Sequence, residues 1–586
     1  MLASYRFPIR IWLVITSNLF VVFLSAGSVG RLHQALAGEP AANNSPRLAV
    51  LLIFDQMRAD YILRWEKLFG ERGFRRLQQE GAWFRNCYYP YSDTITGAGH
   101  ASIATGCSPA EHGIIENDWY DRTTGKDVNC VVAGRYERVP TIPHAEPPSV
   151  AEQKRIAKTS VSPERLLAPT LGDALKQGTG GKGRVVALSL KDRSAVLPAG
   201  RRADACYWFD THDGIFVTST YYRLQVHPWV AAFNATQPAD HWFGKAWTRF
   251  RPDLEYEFYS GPDDVRAEGR GFGQERTFPH PMMGGKPKIS DDYYQAVITS
   301  PYGNELLLEL ALRAVDAEHL GRSDAPDLLS VSFSSNDLIG HCWGPDSQEV
   351  FDVTLRSDQI VQRLLDHLDS SVGKGRYVVA LTADHGVCPL PEVARAKGKD
   401  AGRVPAELLG SRAEAFLDKM FGQSDQKARW LEAKASPWIY LNRALLQQRG
   451  LDQAVVEEAL AGWLKQQPGV LTAYTRSQLL KGVPAGDSIG VRVRRSFQSD
   501  RSGDVAVVLK PYYLFSSPFL TGTTHGTPHE YDTHVPLMVL GTGIRPGVHA
   551  ESVTPLATAT ILAHALGIPR PARSQAPLPE GVFVAP

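Results

Sequence analysis

Four short, mostly apolar runs in this chain end in the same manner, and that repetition constrains the fold more than any other feature. Leu48 to Phe54 is followed by Asp55, Val185 to Leu190 by Lys191 and Arg193, Leu328 to Phe333 by Asp337 and His341, and Tyr377 to Leu381 by Asp384 and His385. Short runs rich in Val, Ile and Leu read as strands buried on both faces. Val505 to Leu509 and Val535 to Leu540 read the same way. Between the runs the period changes. Ser347 to Leu368 repeats apolar residues at three and four, and Thr170 to Gly178 opens on a threonine cap and closes in glycine. This alternation predicts an α/β fold with a mostly parallel central sheet and helices on both faces. Ligands of such sheets bind outside the carboxyl ends of the strands. The polar residues that close the runs are therefore expected to share one site.

With 586 residues the chain exceeds what one compact core requires. Stretches rich in glycine, proline and aromatic residues near 119–169, 198–300 and 389–499 interrupt the alternation. They are expected to be cap-forming insertions in a catalytic domain spanning 45–586. At the start of the chain, Arg6 and Arg10 precede an apolar stretch from Ile11 to Ala26, the layout of an export signal. Residues 1–37 thus read as a signal peptide, or as an N-terminal membrane segment if uncleaved, and the protein is expected to be periplasmic or secreted. Ala35-Leu36-Ala37 and Ser25-Ala26-Gly27 both offer small-residue cleavage points. Lysine plus arginine total 63 and aspartate plus glutamate 62, with no long run of either sign, so nothing points to a nucleic-acid partner. Six scattered cysteines match no zinc-finger spacing. In an oxidising compartment they could form one to three disulfides or serve as small buried hydrophobes.

Asp55, Asp337, His341, Asp384, His385 and the later His525 of THGTPHEYDTH combine carboxylate oxygens with imidazole nitrogens. Such a set suits zinc, and these ligands suffice for two catalytic ions with open positions. Taken singly, an aspartate at a strand end is a turn or helix cap, and a lone histidine is a hydrogen-bonded structural residue. Their shared placement points to metal instead. Between the first two runs lies TITGAGHASIATG, where Thr96 precedes a Gly-Ala-Gly turn and a helical segment. A threonine hydroxyl is a poor nucleophile until a metal ion lowers its pKa and a helix N-terminus supplies positive potential. In isolation, Thr96 or its neighbour Thr94 would be read as a helix cap.

In the order IFDQMRAD, TITGAGH, NDLIGH, LTADHG and THGTPHEYDTH, these motifs make the chain similar to the alkaline phosphatase superfamily. Within it the chain resembles the threonine-nucleophile, phosphate-irrepressible bacterial alkaline phosphatases (the PafA type), which are related to type I phosphodiesterases and nucleotide pyrophosphatases. The resemblance implies a zinc-dependent hydrolase of small-molecule phosphate monoesters, working through a phosphothreonine on Thr96 with two Zn2+ ions as cofactors. By the same resemblance, Asp55, Thr96, Asp384 and His385 hold one ion and Asp337, His341 and His525 the other, while His529 and His534 are structural. It further implies that Asn117 of IIENDWY donates to a phosphoryl oxygen and that Lys191 and Arg193 add cationic contacts. Without it, Asn117 is a turn residue and the two cations are solvated charges. Side chains at i and i+2 share a face only in an extended segment, which the strand end is expected to provide.

A phosphodiesterase of the same superfamily shares the ligands and the threonine but as a rule lacks the Lys-x-Arg pair. A non-catalytic envelope protein that binds metal or phosphate is a rival of another class, separable by metal content and turnover. A sulfatase would need Cys-x-Pro-x-Arg, whereas Cys107-Ser108-Pro109-Ala110 leads to Glu111. The cluster GTGGKG lacks the spacing of a P-loop, and no Gly-x-Ser-x-Gly elbow occurs.

Overall fold

Seven apolar residues in succession, none exposed, make β1 (Leu48–Phe54) a strand that only a sheet interior can hold. The computed structural model describes residues 45–141, 159–424, 428–433, 437–516 and 521–584, so the expected export segment at 1–37 lies outside the described residues. Among the described residues no helix is long and apolar enough to cross a membrane. The central sheet continues with β2 (Ala82–Cys87), β3 (Arg138–Val139), β4 (Val185–Ser189), β5 (Ala205–Asp210), β6 (Ile215–Ser219), β7 (Asp327–Phe333), β8 (Tyr377–Thr382), β9 (Leu537–Gly541) and β10 (Gly547–Val553). Their spatial order is β10-β2-β9-β8-β1-β7-β4-β5-β6-β3. Only β6 and β9 run against the others. The expected mostly parallel sheet is thus a ten-stranded mixed sheet with a parallel centre.

Alternation along the strands shows both faces covered. Val186 and Leu188 of β4 enter one apolar cluster while Ala187 enters another, and Tyr207 and Trp208 of β5 divide in the same way. One face packs on the helix Pro301–Ala317 and its neighbours, and the other on Ala195 to Leu197. The predicted helices form where the pattern put them. Gln348–Leu368 is capped by the Ser347 hydroxyl, and Leu171–Gly178 by a Thr170/Asp173 capping box.

Three regions differ from the expectation. The stretch near 198–300 supplies β5 and β6, and that near 119–169 supplies β3, so both extend the sheet edge rather than only covering it. The residues of β5 and β6 are apolar enough to be buried on two sides, so β5 pairs with β4 and β6 with β5, while β3 joins β6 with Arg138 paired to Asp210 and Asp213. Val505–Leu509 is a strand, but of a second, four-stranded sheet built mainly from the 389–499 region. That sheet has its own apolar cluster beneath the helices Ala406–Phe421 and Gln453–Leu464. All six cysteines are free thiols, five of them buried, which is the small-hydrophobe alternative.

Candidate active site

Asp55 leaves β1 and Asp384 and His385 leave β8, all three fully buried. The helices complete the set. Helix α1 (Thr96–Thr105) starts at Thr96, and α2 (Asp192–Ala199) follows β4 with Lys191 at its cap. Helix α3 (Ser335–Trp343) presents Asp337 and His341 one turn apart on one face. His525 enters from the loop before β9, so every metal-type residue named from the sequence meets at one end of the sheet.

The Gly-Ala-Gly segment is not the turn expected from the sequence but the first turn of α1. Glycine is needed there for close approach. A Cβ on Gly99 would run into the carbonyl of Asp384. The helix cap is Ile95, with no side-chain capping bond, so neither threonine acts as a cap. Thr94 Oγ1 donates to the Thr527 carbonyl at 3.1 Å. Thr96 Oγ1 instead lies 3.3 Å from His385 Nε2.

The imidazoles share one arrangement. His341 Nδ1 donates to the Thr523 carbonyl at 2.8 Å, His385 Nδ1 to Gly386 at 2.9 Å and His525 Nδ1 to Thr94 at 2.7 Å. Each main-chain carbonyl fixes the proton on Nδ1, which leaves the Nε2 lone pair for the centre. His385 Nε2 is 3.5 Å from Asp55 Oδ1 and 3.3 Å from Asp384 Oδ2. His341 and His525 Nε2 lie 3.1 and 3.6 Å from Asp337 Oδ1. Rings of His385 and His525 stack with centroids 3.4 Å apart, which joins the two groups into one cluster.

Burial, with the like charges of Asp337 and Asp384, pushes the Asp55 carboxyl well above the usual carboxylate range. For Asp337 burial also opposes the charge, but His341 and Lys191 outweigh it and hold the carboxyl well below that range. Asp384 is lowered likewise by His385 and His100 against its burial. Burial, then the neighbouring His385 and His341, holds His525 well down. Lys191 Nζ brings a cation into the cage, 2.8 Å from Asp55 Oδ2 and bonded also to Asp337 Oδ2. Among the described residues Asp55 Oδ1 and Asp384 Oδ2 are buried without hydrogen-bond partners. These two orphaned carboxylate oxygens face Nε2 of His385, whose affinity for a proton is lowered by burial, and together they are a donor set that fits zinc.

Asn117 accepts from the Gly97 amide through Oδ1 at 2.8 Å, so its Nδ2 group is the end left to donate. Lys191 is extended, but Arg193 is already in the first turn of α2, so the two do not share the extended segment expected from the sequence. The chain turns into helix directly at the cap. Among the described residues Arg193 Nε is buried without a hydrogen-bond partner, and its Nη1 is 3.9 Å from Asp192 Oδ1. His529 and His534 face away, toward the carbonyls of Leu509 and Arg85.

Two participants went unread in the sequence. His100 Nδ1 donates to the Thr96 carbonyl at 2.9 Å and lies 3.1 Å from Asp384 Oδ2, while Nε2 meets Ser332 Oγ at 2.7 Å. With its proton committed, His100 orients Thr96 and Asp384, although it stands in a triplet of possible ligands with Asp55 and Asp384. Its spacing of four from Thr96 on a helix was the available signal. Gln56, at φ 70°, bonds Asp337 Oδ1 through Nε2 at 2.6 Å and Asp384 Oδ1 through its amide at 3.1 Å.

Residues 49–532 match the family model described as type I phosphodiesterase / nucleotide pyrophosphatase. The chain is 34% identical over 507 residues to alkaline phosphatase PafA of Elizabethkingia meningoseptica, covering 86% of this chain and 88% of the relative. It is 32% identical over 539 residues to alkaline phosphatase PhoV of Synechococcus elongatus, covering 90% and 92%. The crystal structure of wild-type PafA superposes with a TM-score of 0.84 at 32% identity, covering 93% of this chain and all of that one.

Proposed function

This chain belongs to the type I phosphodiesterase / nucleotide pyrophosphatase family, in the branch of the PafA and PhoV alkaline phosphatases, and we propose that Thr96 is its nucleophile and two zinc ions its cofactors. It is an alkaline phosphatase, a hydrolase of phosphate monoesters. One observation carries the finer reading. Three imidazoles, each tied through Nδ1 to a main-chain carbonyl, turn Nε2 toward buried carboxylates, and the Thr96 hydroxyl at the start of α1 lies 3.3 Å from Nε2 of His385, one of the three.

Asp55, Thr96, Asp384 and His385 would hold one ion, and Asp337, His341 and His525 the other. When bound, the ions would balance the carboxylates, lower the pKa of the Thr96 hydroxyl and offset charge on the leaving oxygen. Thr96 Oγ1 attacks phosphorus, the bond to the leaving alkoxide breaks, and a phosphothreonine forms. Water then hydrolyses it, restoring the hydroxyl and releasing phosphate. Asn117 Nδ2 and the Lys191 and Arg193 side chains meet the equatorial oxygens, whose charge grows in the transition state. His100 and Gln56 keep the nucleophile and the carboxylates in place. We assign residues 1–37 to export, residues 45–586 to a single catalytic domain with the 119–169, 198–300 and 389–499 regions as its insertions, and the enzyme to the periplasm or the exterior.

A phosphodiesterase is the second reading, favoured by the description of the family model itself. A monoester brings one more negative charge than a diester, so cations beyond the metal site should favour it selectively. Charge-assisted hydrogen bonds are worth roughly 1.5 to 3 kcal/mol each. Lys191→Ala/Arg193→Ala should therefore lower monoester kcat/KM by about a hundredfold or more at saturating zinc, with a smaller effect on diesters. Equal losses on both would remove the specificity argument, and a wild-type preference for diesters would move the assignment to the second reading.

A further inference from the structure

Away from the metal cage, a cleft of about 1050 Å³ opens between the helix Ser488–Ser496, strand β10 and the segment Pro577–Gly581. Its size is that of a small-molecule site rather than a surface dimple. Three arginines line it: Arg492, Arg495 and Arg545. Among the described residues none of their guanidinium groups pairs with a carboxylate. Arg492 Nη1 donates to the carbonyls of Tyr89 and Pro528 at 3.1 and 3.3 Å, and Arg495 Nη1 to that of Pro90 at 3.3 Å. Arg492 and Arg495 are three apart on one helix, so they present their charges on one face. Burial, followed by the like charge of Arg495, lowers the affinity of Arg492 for its proton.

Two carboxylates, Glu551 and Glu580, also line the cleft, fewer than its three cations, and Glu551 lies 3.2 Å from His549 Nδ1. His549 Nε2 is buried without a hydrogen-bond partner among the described residues. Ser488, Ser552 and Thr554 add hydroxyls to the wall, and Tyr88, Val491 and Leu578 give it an apolar and aromatic part. An uncompensated pair of guanidinium groups held in place by backbone carbonyls is a preorganised oxyanion receptor, and planar guanidinium favours phosphoryl oxygens in particular.

We propose that this cleft is a second, non-catalytic binding site for an organic phosphate, whose phosphoryl group is held by Arg492 and Arg495 and whose organic body lies on Tyr88 and Leu578. The site is separate from the metal cage but adjoins it. Tyr89, whose carbonyl accepts from Arg492, donates through its hydroxyl to Ala383 beside Asp384.

Phenylphosphonate is a suitable probe, since ester hydrolysis does not touch its carbon–phosphorus bond. Calorimetric titration of the zinc-loaded full-length protein should find two phenylphosphonate molecules per chain, only one of them displaced by a competitive inhibitor of phosphate ester turnover. Arg492→Gln/Arg495→Gln should weaken the other site at least tenfold and leave the inhibition constant at the catalytic centre unchanged. Arg495→Gln alone, at an exposed position with a single carbonyl bond, should weaken it several-fold and guards against misfolding. Inorganic phosphate should bind the cleft at least tenfold more weakly than phenylphosphonate. A cleft site absent from the wild type, or of unchanged affinity in both variants, would overturn the proposal. Equal affinity for inorganic phosphate would overturn the role of the apolar wall. The comparison of variants holds whatever occupies the catalytic centre.

Discussion

Thr94 and Thr96 differ in what their hydroxyls have left to do. The Thr94 hydroxyl is spent on the Thr527 carbonyl, whereas that of Thr96 faces His385 Nε2. Thr96→Ala should therefore abolish the phosphorylated intermediate and nearly all turnover while zinc content stays the same. Thr94→Ala should cost about 1 kcal/mol of stability and leave most of the rate. Phosphate trapped on Thr94, or near-normal turnover by Thr96→Ala, would reverse the assignment. His100 makes a different demand, because it touches the cage from behind. His100→Phe should weaken zinc about 10- to 100-fold in a chelator competition, with His100→Gln recovering part of the loss through its amide donor. Unchanged zinc affinity in His100→Phe would make the residue packing only.

At the level of elements, the second sheet is docked to the loop before α1 by Asp93. This carboxylate accepts from Trp438 Nε1 at 2.9 Å and from the Ser92 hydroxyl. Burial raises its pKa to about 6, against the pull of those two bonds. Because the folded value lies above the unfolded one, this group's contribution to stability is full below the unfolded value and is lost as pH rises through about 6. Asp93→Asn keeps an acceptor for Trp438 and should flatten that loss, worth on the order of 2 to 3 kcal/mol at pH 8. Thermal denaturation from pH 4 to 8 measures it, and parallel curves for the two proteins would refute it. The strands differ in how far the sequence announces them. Strand β1 is legible because seven apolar residues admit no other placement. Strand β10, GVHAESV, is an exposed edge with no period, and β3 has two residues, so neither carries a signal. Strands β5 and β6 did carry one, Asp213-Gly214 between apolar runs with Gly214 at φ 69°, but their aromatic composition masked it. At the site, strand-end residues were readable from position, and His525 from its motif. Arg193 was misplaced because an extended strand end and a helix start look alike in three residues.

For the molecule as a whole, the cage sets a problem of charge. Asp55, Asp337 and Asp384 come from three distant parts of the chain and are buried together, so folding brings like charges into one low-dielectric space. Lys191 answers part of that demand by pairing with Asp55 and Asp337. Metal ions held by the same carboxylates would answer it as well. The two solutions are alternatives, since a carboxylate oxygen that ligates an ion is no longer the main partner of Nζ. Lys191→Met keeps the length of the side chain and removes its charge. In chelator-treated protein this removes the cation paired with Asp55 and leaves Asp337 with His341 alone of the two groups that hold it down, a change that costs about 3 to 5 kcal/mol when one partner of a buried pair is removed. In zinc-loaded protein the loss should be well under half as large, while catalysis suffers in proportion to the contact with phosphate. Zinc should also raise the denaturation temperature of the wild type, as any ligand of the native state does, and should raise that of Lys191→Met by more. Melting curves of both proteins with and without zinc give the four values needed. If Lys191→Met lost the same stability in the presence and absence of metal, Lys191 and the ions would not be exchanging places, and the carboxylates it holds would not be the zinc ligands.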